Sequence, residues 1–106
     1  MKAVLSVVGL LAVVSFLALS GCAPDVKKGE ALFKQHCSMC HPDGGNIVNA
    51  RKTLHAKDLA ANRIEKPEDI VKTMRNPGPG MTVFDEKTIP DKDAMEIARY
   101  IQKTFK

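Results

Sequence analysis

The segment Cys37-Ser38-Met39-Cys40-His41 places two thiols three positions apart and an imidazole directly after the second thiol. On a helix, side chains three and four positions apart lie on the same face, so both thiols and the imidazole can reach one planar ligand. Cys-x-x-Cys-His is the sequence at which a c-type haem is attached through its two vinyl groups, with the histidine as an axial ligand of the iron. The segment therefore predicts one covalent haem c, held by thioethers at Cys37 and Cys40 with His41 on the iron.

Two other kinds of site also use Cys-x-x-Cys. A zinc site needs four ligands, and outside the segment only His36 and His55 could supply further nitrogen donors. The sequence has no second Cys-x-x-Cys. A thioredoxin-like thiol pair needs a strand–helix–strand setting, and no strand pattern is evident. Haem attachment is therefore the favoured interpretation.

Met81 is the candidate second ligand of the iron. It follows Pro77-Gly78-Pro79-Gly80, which cannot form regular structure, so its thioether lies on a stiff loop that could reach the other face of a haem. His/Met ligation is typical of electron-carrying cytochromes. His55 is the rival ligand, but its polar surroundings are more typical of a surface or propionate-facing histidine. The sequence predicts His41 and Met81 as the iron ligands.

The other methionines have different predicted roles. Met39 is a spacer between the two cysteines, whereas Met74 and Met95 occupy apolar positions of predicted helices and are expected to fill the core. An iron closed by two protein ligands has no open position for substrate, so we expect an electron carrier and no enzyme. A labile Met81 would instead give a haem-based peroxidase or gas sensor, although no acid–base group is evident near it. A structural lipoprotein assembly module is a third alternative.

The N-terminus has the pattern of an export signal. Lys2 precedes an apolar run over residues 4–19, and Leu19-Ser20-Gly21-Cys22 resembles the lipobox of bacterial lipoproteins. We therefore expect residues 1–21 to be a lipoprotein signal peptide, Cys22 to carry lipid, and residues 22–26 to form a tether. Ordinary secretory cleavage, leaving Cys22 as a free thiol, is the alternative. An uncleaved membrane helix is disfavoured, because the run is short for a bilayer span of about 20 residues.

Lipid on Cys22 would fix the protein to a membrane, because several acyl chains exceed the two signals that stable anchoring requires. Ala23 follows the cysteine, rather than the aspartate that retains many lipoproteins at the inner membrane. The expected location is therefore the outer membrane, facing the periplasm, with a soluble periplasmic protein as the alternative. With Cys37 and Cys40 in thioethers, all three cysteines are used and no disulfide is expected.

Composition indicates one small, weakly basic domain. Of the 16 basic side chains only Lys2 lies in the leader, so 15 basic and 12 acidic side chains remain in 85 of the 106 residues. They are interspersed rather than clustered, which argues against nucleic-acid binding despite a pI near 9.1. A domain of this size is marginal on its own, and a haem would supply much of its core.

The pattern of the remaining chain predicts an all-α fold. A first helix capped by Asp25 leads to the haem motif, followed by a loop from Pro42 to Lys52 and a short helix around residues 54–61. Pro67 begins a helix that Asn76-Pro77 ends. A last helix is predicted from about Pro90 or Asp91 to about Thr104, and its apolar stripe is formed by Ala94, Ile97, Ala98, Ile101 and Phe105.

In this order of motifs the chain resembles the class I monohaem cytochromes c, especially the photosynthetic cytochromes that replace plastocyanin and the small outer-membrane lipoprotein cytochromes of metal-reducing bacteria. The resemblance covers about residues 27 to 105, and it implies a haem domain over residues 27–106 with about four helices around one haem. It also implies that the first and last helices cross. The motifs that carry it are Gly29-Glu30-Ala31-Leu32-Phe33, the haem motif, Gly44-Gly45-Asn46, Lys52-Thr53-Leu54, Arg75 to Met81 and Ile97-Ala98-Arg99-Tyr100-Ile101.

The resemblance also implies sites and partners. By analogy Arg51 and Lys52 lie near a haem propionate, and the partners are periplasmic and outer-membrane cytochromes, with electrons passing toward extracellular metals. A monomer is expected. Thr82 departs from the family, which usually has proline after the methionine ligand. Proline would fix the backbone that leaves the ligand, so Thr82 makes the reduction potential harder to predict.

Overall fold

A computed structural model of the chain describes residues 26–106, and the predicted signal peptide, Cys22 and the Asp25 cap lie outside them. The described residues contain no strand, which confirms the all-α prediction. Their α-helices are α1 (Val26–His36), α2 (Ala56–Ala61), α3 (Pro67–Arg75) and α4 (Asp91–Thr104), with a single 3-10 turn at Pro42–Gly44.

The core is built on the crossing of α1 and α4. Gly29 is buried in α1, and a methyl group at this position would meet the Glu96 carbonyl oxygen and lie 2.9 Å from Cβ of Tyr100. One turn further along α1, the Phe33 ring lies 5.4 Å from each of the Tyr100 and Phe105 rings. The close approach of the two helices therefore depends on the missing side chain of Gly29.

The predicted apolar stripe of α4 faces this core. Its members are buried, and Ile97 and Ala98 are fully inaccessible to solvent. The stripe pattern missed Glu96, which is also buried, with a carboxylate oxygen that has no hydrogen-bond partner. Ile89, in the loop before α4, is only 1% exposed, and the sequence pattern did not mark it because it lies outside any helical repeat.

Local signals explain where α2 and α3 begin and end. The short helix begins at Ala56 rather than Leu54, because His55 has an extended backbone with ψ of 143°. At the start of α3, the Asp69 carboxylate accepts hydrogen bonds from the backbone N–H groups of Lys66 and Glu65, and these bonds lower its pKa. The helix ends at Arg75, directly before Asn76-Pro77, as predicted.

Candidate haem site

The segment Cys37–His41 continues the end of α1 as a series of turns. The Cys37 N–H donates to the Phe33 carbonyl at 2.8 Å, and the His41 N–H donates to the Cys37 carbonyl at 2.9 Å. Cys37 is half-buried, Cys40 is exposed and His41 is buried. The two thiols and the imidazole are therefore held by the same short stretch of hydrogen-bonded backbone.

The imidazole of His41 is oriented by one backbone carbonyl. Its Nδ1 lies 2.7 Å from the Gly45 carbonyl oxygen, which can only accept, so in the neutral imidazole Nδ1 carries the proton and Nε2 keeps its lone pair. An imidazole in this state, with its second nitrogen bonded to a carbonyl, is the usual arrangement of a metal-ligating histidine. The geometry of His41 therefore suits an iron ligand.

The turn that supplies this carbonyl depends on Gly44. Gly44 has a φ of +79°, and a methyl group there would lie 2.5 Å from ring atoms of Phe105. Its N–H donates to the His41 carbonyl at 3.1 Å, and its own carbonyl accepts from the Leu54 N–H at 2.7 Å. Gly44 thus lets the chain turn sharply between His41 and the core.

The thiol of Cys37 is in a poorly solvated position. Burial, followed by the charge of nearby Cys40, raises the pKa of Cys37 to about 11. In a folded chain with free thiols, Cys37 would therefore be protonated at neutral pH, with roughly one thiolate in ten thousand molecules. A protonated thiol and a thioether are both uncharged, so attachment of a haem at Cys37 would leave the charge at this position unchanged.

One cavity of about 350 Å³ brings the four predicted haem residues together. Cys37, Cys40, His41 and Met81 all line it, although Met81 comes from the loop between α3 and α4. Cavities of this size are typical of cofactor sites. Its apolar wall is formed by Leu54, Leu59, Ile64, Ile70, Met74 and Ile101.

Polar side chains line another part of the cavity and suit carboxylate groups such as propionates. Lys52 and Arg51 were both predicted to lie near a haem propionate. Lys52 lines the cavity, whereas Arg51 does not. Asn46 organises the loop that carries Lys52, because its Oδ1 accepts from the N–H of Val48 at 2.9 Å and its Nδ2 donates to the Lys52 carbonyl at 2.8 Å. Further amide and hydroxyl groups on the cavity are those of Asn49, Thr53, Asn62, Thr73 and Asn76.

The remaining candidate ligands lie elsewhere. His55 does not line the cavity and its ring packs 6.0 Å from the Phe105 ring. His36 does not line it either, and its ring packs edge-on at 6.0 Å from the Phe84 ring. Met39 is 87% exposed. Within residues 26–106, no group of three or more His, Cys, Asp or Glu side chains is placed to hold a metal ion.

The two methionines expected in the core differ in burial. Met74 is only 3% exposed and contributes to the cavity wall. Met95 is half-buried on α4 and does not line the cavity. Of the two, Met74 therefore belongs to the candidate site and Met95 to the helix surface.

Sequence reasoning missed how the loop with Met81 is fastened. The Phe84 N–H donates to the Met74 carbonyl at 2.9 Å, and the Phe84 carbonyl accepts from Nη1 of Arg75, also at 2.9 Å. An aromatic residue three positions after Met81 was the available signal. Its hydrogen bonds could not be read from the pattern, because they depend on the end of α3.

Comparisons with known proteins place this arrangement among haem proteins. Residues 24–101 match the family described as cytochrome c oxidase, cbb3-type, subunit III. The chain is 34% identical over 79 residues to cytochrome c6 of Cyanidioschyzon merolae, covering 74% of each protein. It is 31% identical over 103 residues to cytochrome c6 of Rippkaea orientalis, covering 95% of this chain and 92% of the relative.

Solved structures show the same likeness. OmcF, the outer membrane cytochrome F of Geobacter sulfurreducens, superimposes with a TM-score of 0.72 and 45% identity, covering 74% of this chain and 99% of that one. Oxidised cytochrome c6A of Arabidopsis thaliana superimposes with a TM-score of 0.67 and 27% identity, covering 76% and 90%. The family match over residues 24–101 includes every residue that lines the cavity.

Proposed function

This chain belongs to the small class I monohaem cytochromes c, and on that premise we propose that Cys37 and Cys40 attach the haem while His41 and Met81 ligate its iron. Members of the family carry one covalently bound haem c, so the predicted cofactor is confirmed. The predicted class I fold is confirmed by the likeness to solved cytochromes. Family membership also supports electron transfer mediated by the haem.

The observation that carries the assignment is the shared cavity. Two thiols and an imidazole from one segment and a thioether from another line one space with an apolar wall, and this donor set matches covalent haem with His/Met ligation. The hydrogen bond from Nδ1 to the Gly45 carbonyl leaves Nε2 of neutral His41 available as a ligand. Lys52, which also lines the cavity, is proposed to offset the charge of a propionate.

The haem, when bound, supplies reversible one-electron cycling between Fe(III) and Fe(II). The contribution of the chain is to hold the same two ligands in both oxidation states, so that little reorganisation accompanies electron transfer. The Gly45 carbonyl fixes the orientation of His41, and the sulfur of Met81 favours the reduced state relative to a second histidine. The apolar wall excludes water and so tunes the potential through burial.

The optical spectrum of the oxidised holoprotein tests the ligand assignment. A methionine sulfur bonded to Fe(III) gives a weak charge-transfer band in the far red, and we expect this band together with a low-spin spectrum and a reversible one-electron titration. A high-spin spectrum without the band would mean an open iron site. The peroxidase or gas-sensor alternative would then replace the electron carrier.

We further propose that the protein is held at the outer membrane through lipid on Cys22 and exchanges electrons with periplasmic and outer-membrane cytochromes. The proposal is supported by the lipobox-like end of the leader and by the similarity to OmcF, an outer membrane cytochrome. Among the described residues, α4 and the shorter helices are not long and apolar enough to cross a bilayer. Delivery of electrons toward extracellular metals is part of this proposal.

Replacing Cys22 by serine tests the anchor. We expect wild-type protein in the outer-membrane fraction, with acyl groups on Cys22 by mass spectrometry, and we expect Cys22→Ser to be lost from that fraction while any exported protein keeps its haem spectrum. Ser20→Ala, which keeps the cysteine, is the matched control and should fractionate like the wild type. Soluble wild-type protein with unmodified Cys22 would contradict the anchor and leave the haem assignment intact.

A further inference from the structure

Arg75 joins the loop that carries Met81 to two helices. At the end of α3, Nη1 of Arg75 donates to the Phe84 carbonyl at 2.9 Å, and Nη2 lies 2.7 Å from Oδ1 of Asp91 at the start of α4. The side chain of Arg75 is 21% exposed, whereas that of Asp91 is 70% exposed. Of the two interactions of the Arg75 guanidinium, the hydrogen bond to the Phe84 carbonyl is thus better protected from solvent than the ion pair with Asp91.

Phe84 is fixed from three directions. Its N–H donates to the Met74 carbonyl at 2.9 Å, its carbonyl accepts from Arg75, and its ring packs against that of His36, which directly precedes Cys37. Residues 76–83 therefore form a loop whose far end is tied to α3, the helix from which the loop departs. The ring contact between Phe84 and His36 also joins this loop to the end of α1, which leads directly into the segment with the haem cysteines.

The fixed position of Phe84 limits where Met81 can go. Three residues of extended chain span at most about 11 Å, so Met81 stays close to the point where Phe84 is tied. Pro77 and Pro79 stiffen the other arm of the loop, but Thr82 stands where proline would have stiffened the arm between Met81 and Phe84. On that arm the restraints are those on Phe84: its two backbone hydrogen bonds and its ring contact with His36.

We propose that Arg75 is a positioning residue that keeps Met81 on the iron by fastening Phe84 to the end of α3. This inference rests on the proposed ligation by Met81. Arginine suits the task because its planar fork serves the carbonyl and the Asp91 carboxylate together. A charged donor to a half-buried carbonyl also makes a stronger bond than a neutral one. Without this bond the loop opens more often and exposes the sixth position of the iron.

Competition by imidazole measures that opening directly. Imidazole can bind the iron only in molecules whose methionine has left, so its apparent affinity rises in proportion to the open fraction. For Arg75→Ala we expect imidazole to bind about tenfold more tightly, the effect of losing one charge-assisted hydrogen bond. The far-red band should remain in the absence of imidazole. Arg75→Lys, which keeps the charge but lacks the fork, should fall between this variant and the wild type.

Two control variants separate positioning from general stability. Asp91→Asn keeps the bond between Arg75 and Phe84 and should change imidazole affinity less than about threefold. Asp93→Asn breaks the ion pair of Lys28 and Asp93, which join at 2.9 Å on the α1 side of α4, and should leave that affinity unchanged. The melting temperature of each variant is measured alongside, because a purely structural role would lower it without changing imidazole affinity.

The outcomes distinguish this inference from the assignment beneath it. Unchanged imidazole affinity in both Arg75→Ala and Arg75→Lys, with a normal far-red band, would overturn the role of Arg75 and leave Met81 as the ligand. A wild-type protein that lacks the band would overturn the ligand assignment itself. If Arg75→Ala does not accumulate as holoprotein, Arg75→Lys alone decides the inference by the same measurement.

Discussion

Replacing Met81 by alanine is expected to lower the reduction potential by about 0.2 V, a quarter of the roughly 0.8 V range that axial ligands span. The loss of the sulfur removes the ligand that favours Fe(II). Water or an added ligand can then take the position that the sulfur leaves. Potentiometric titration should show the lower potential, and the oxidised spectrum should lose the far-red band and gain high-spin character. Carbon monoxide should bind the reduced variant and not the wild type.

Met74→Leu is the matched control for this experiment. Met74 is the other thioether on the cavity, but it is only 3% exposed in the wall, and leucine conserves its volume. The potential and the far-red band should stay close to those of the wild type. The opposite pattern, with the band kept in Met81→Ala and lost in Met74→Leu, would show that the sulfur on the iron comes from α3.

The helices could be predicted from sequence because their signals are local. Pro67 at the start of α3, Asn76-Pro77 at its end and the apolar stripe of α4 act within a few residues of where they stand. The short helix α2 was less well predicted, since its first residue is set by the extended backbone at His55. Packing of the Phe105 ring over Gly44 was not predictable, because it joins positions far apart in the chain.

In the candidate site, too, the features set by adjacent residues could be predicted and those set by contacts between distant segments could not. The haem motif is a chemical signature of five adjacent residues, and Met81 was marked by the stiff segment before it. The hydrogen bond that orients His41 and the fastening of Phe84 by Arg75 depend on how loops meet helices. Arg75 also looks like an ordinary basic residue in the last turn of a helix. Only the fold shows that its guanidinium reaches the loop of Met81.

Gly29→Ala is expected to lower the free energy of unfolding by about 2 to 3 kcal/mol, within the usual range for overpacking a core. In an exposed helix the same change would stabilise by about 1 kcal/mol, because alanine is the better helix former. Here the new methyl group would meet the backbone of Glu96 and Cβ of Tyr100, and neither can move unless the whole of α4 shifts. The packing clash therefore outweighs the gain in helix propensity, and the change lowers stability. Thermal unfolding should show a melting temperature lower by about 10 to 20 °C.

Gly78→Ala makes the same chemical change where the space allows it. A methyl group at Gly78 would lie 3.4 Å from Nζ of Lys52, the mobile end of a side chain, so its unfolding free energy should stay within about 0.5 kcal/mol of the wild type. If Gly29→Ala is as stable as Gly78→Ala, α1 and α4 can separate at little cost, and the crossing does not hold the haem motif in place. If only Gly29→Ala is destabilised while its far-red band persists, the crossing supports the fold and the loop of Met81 holds its ligand independently.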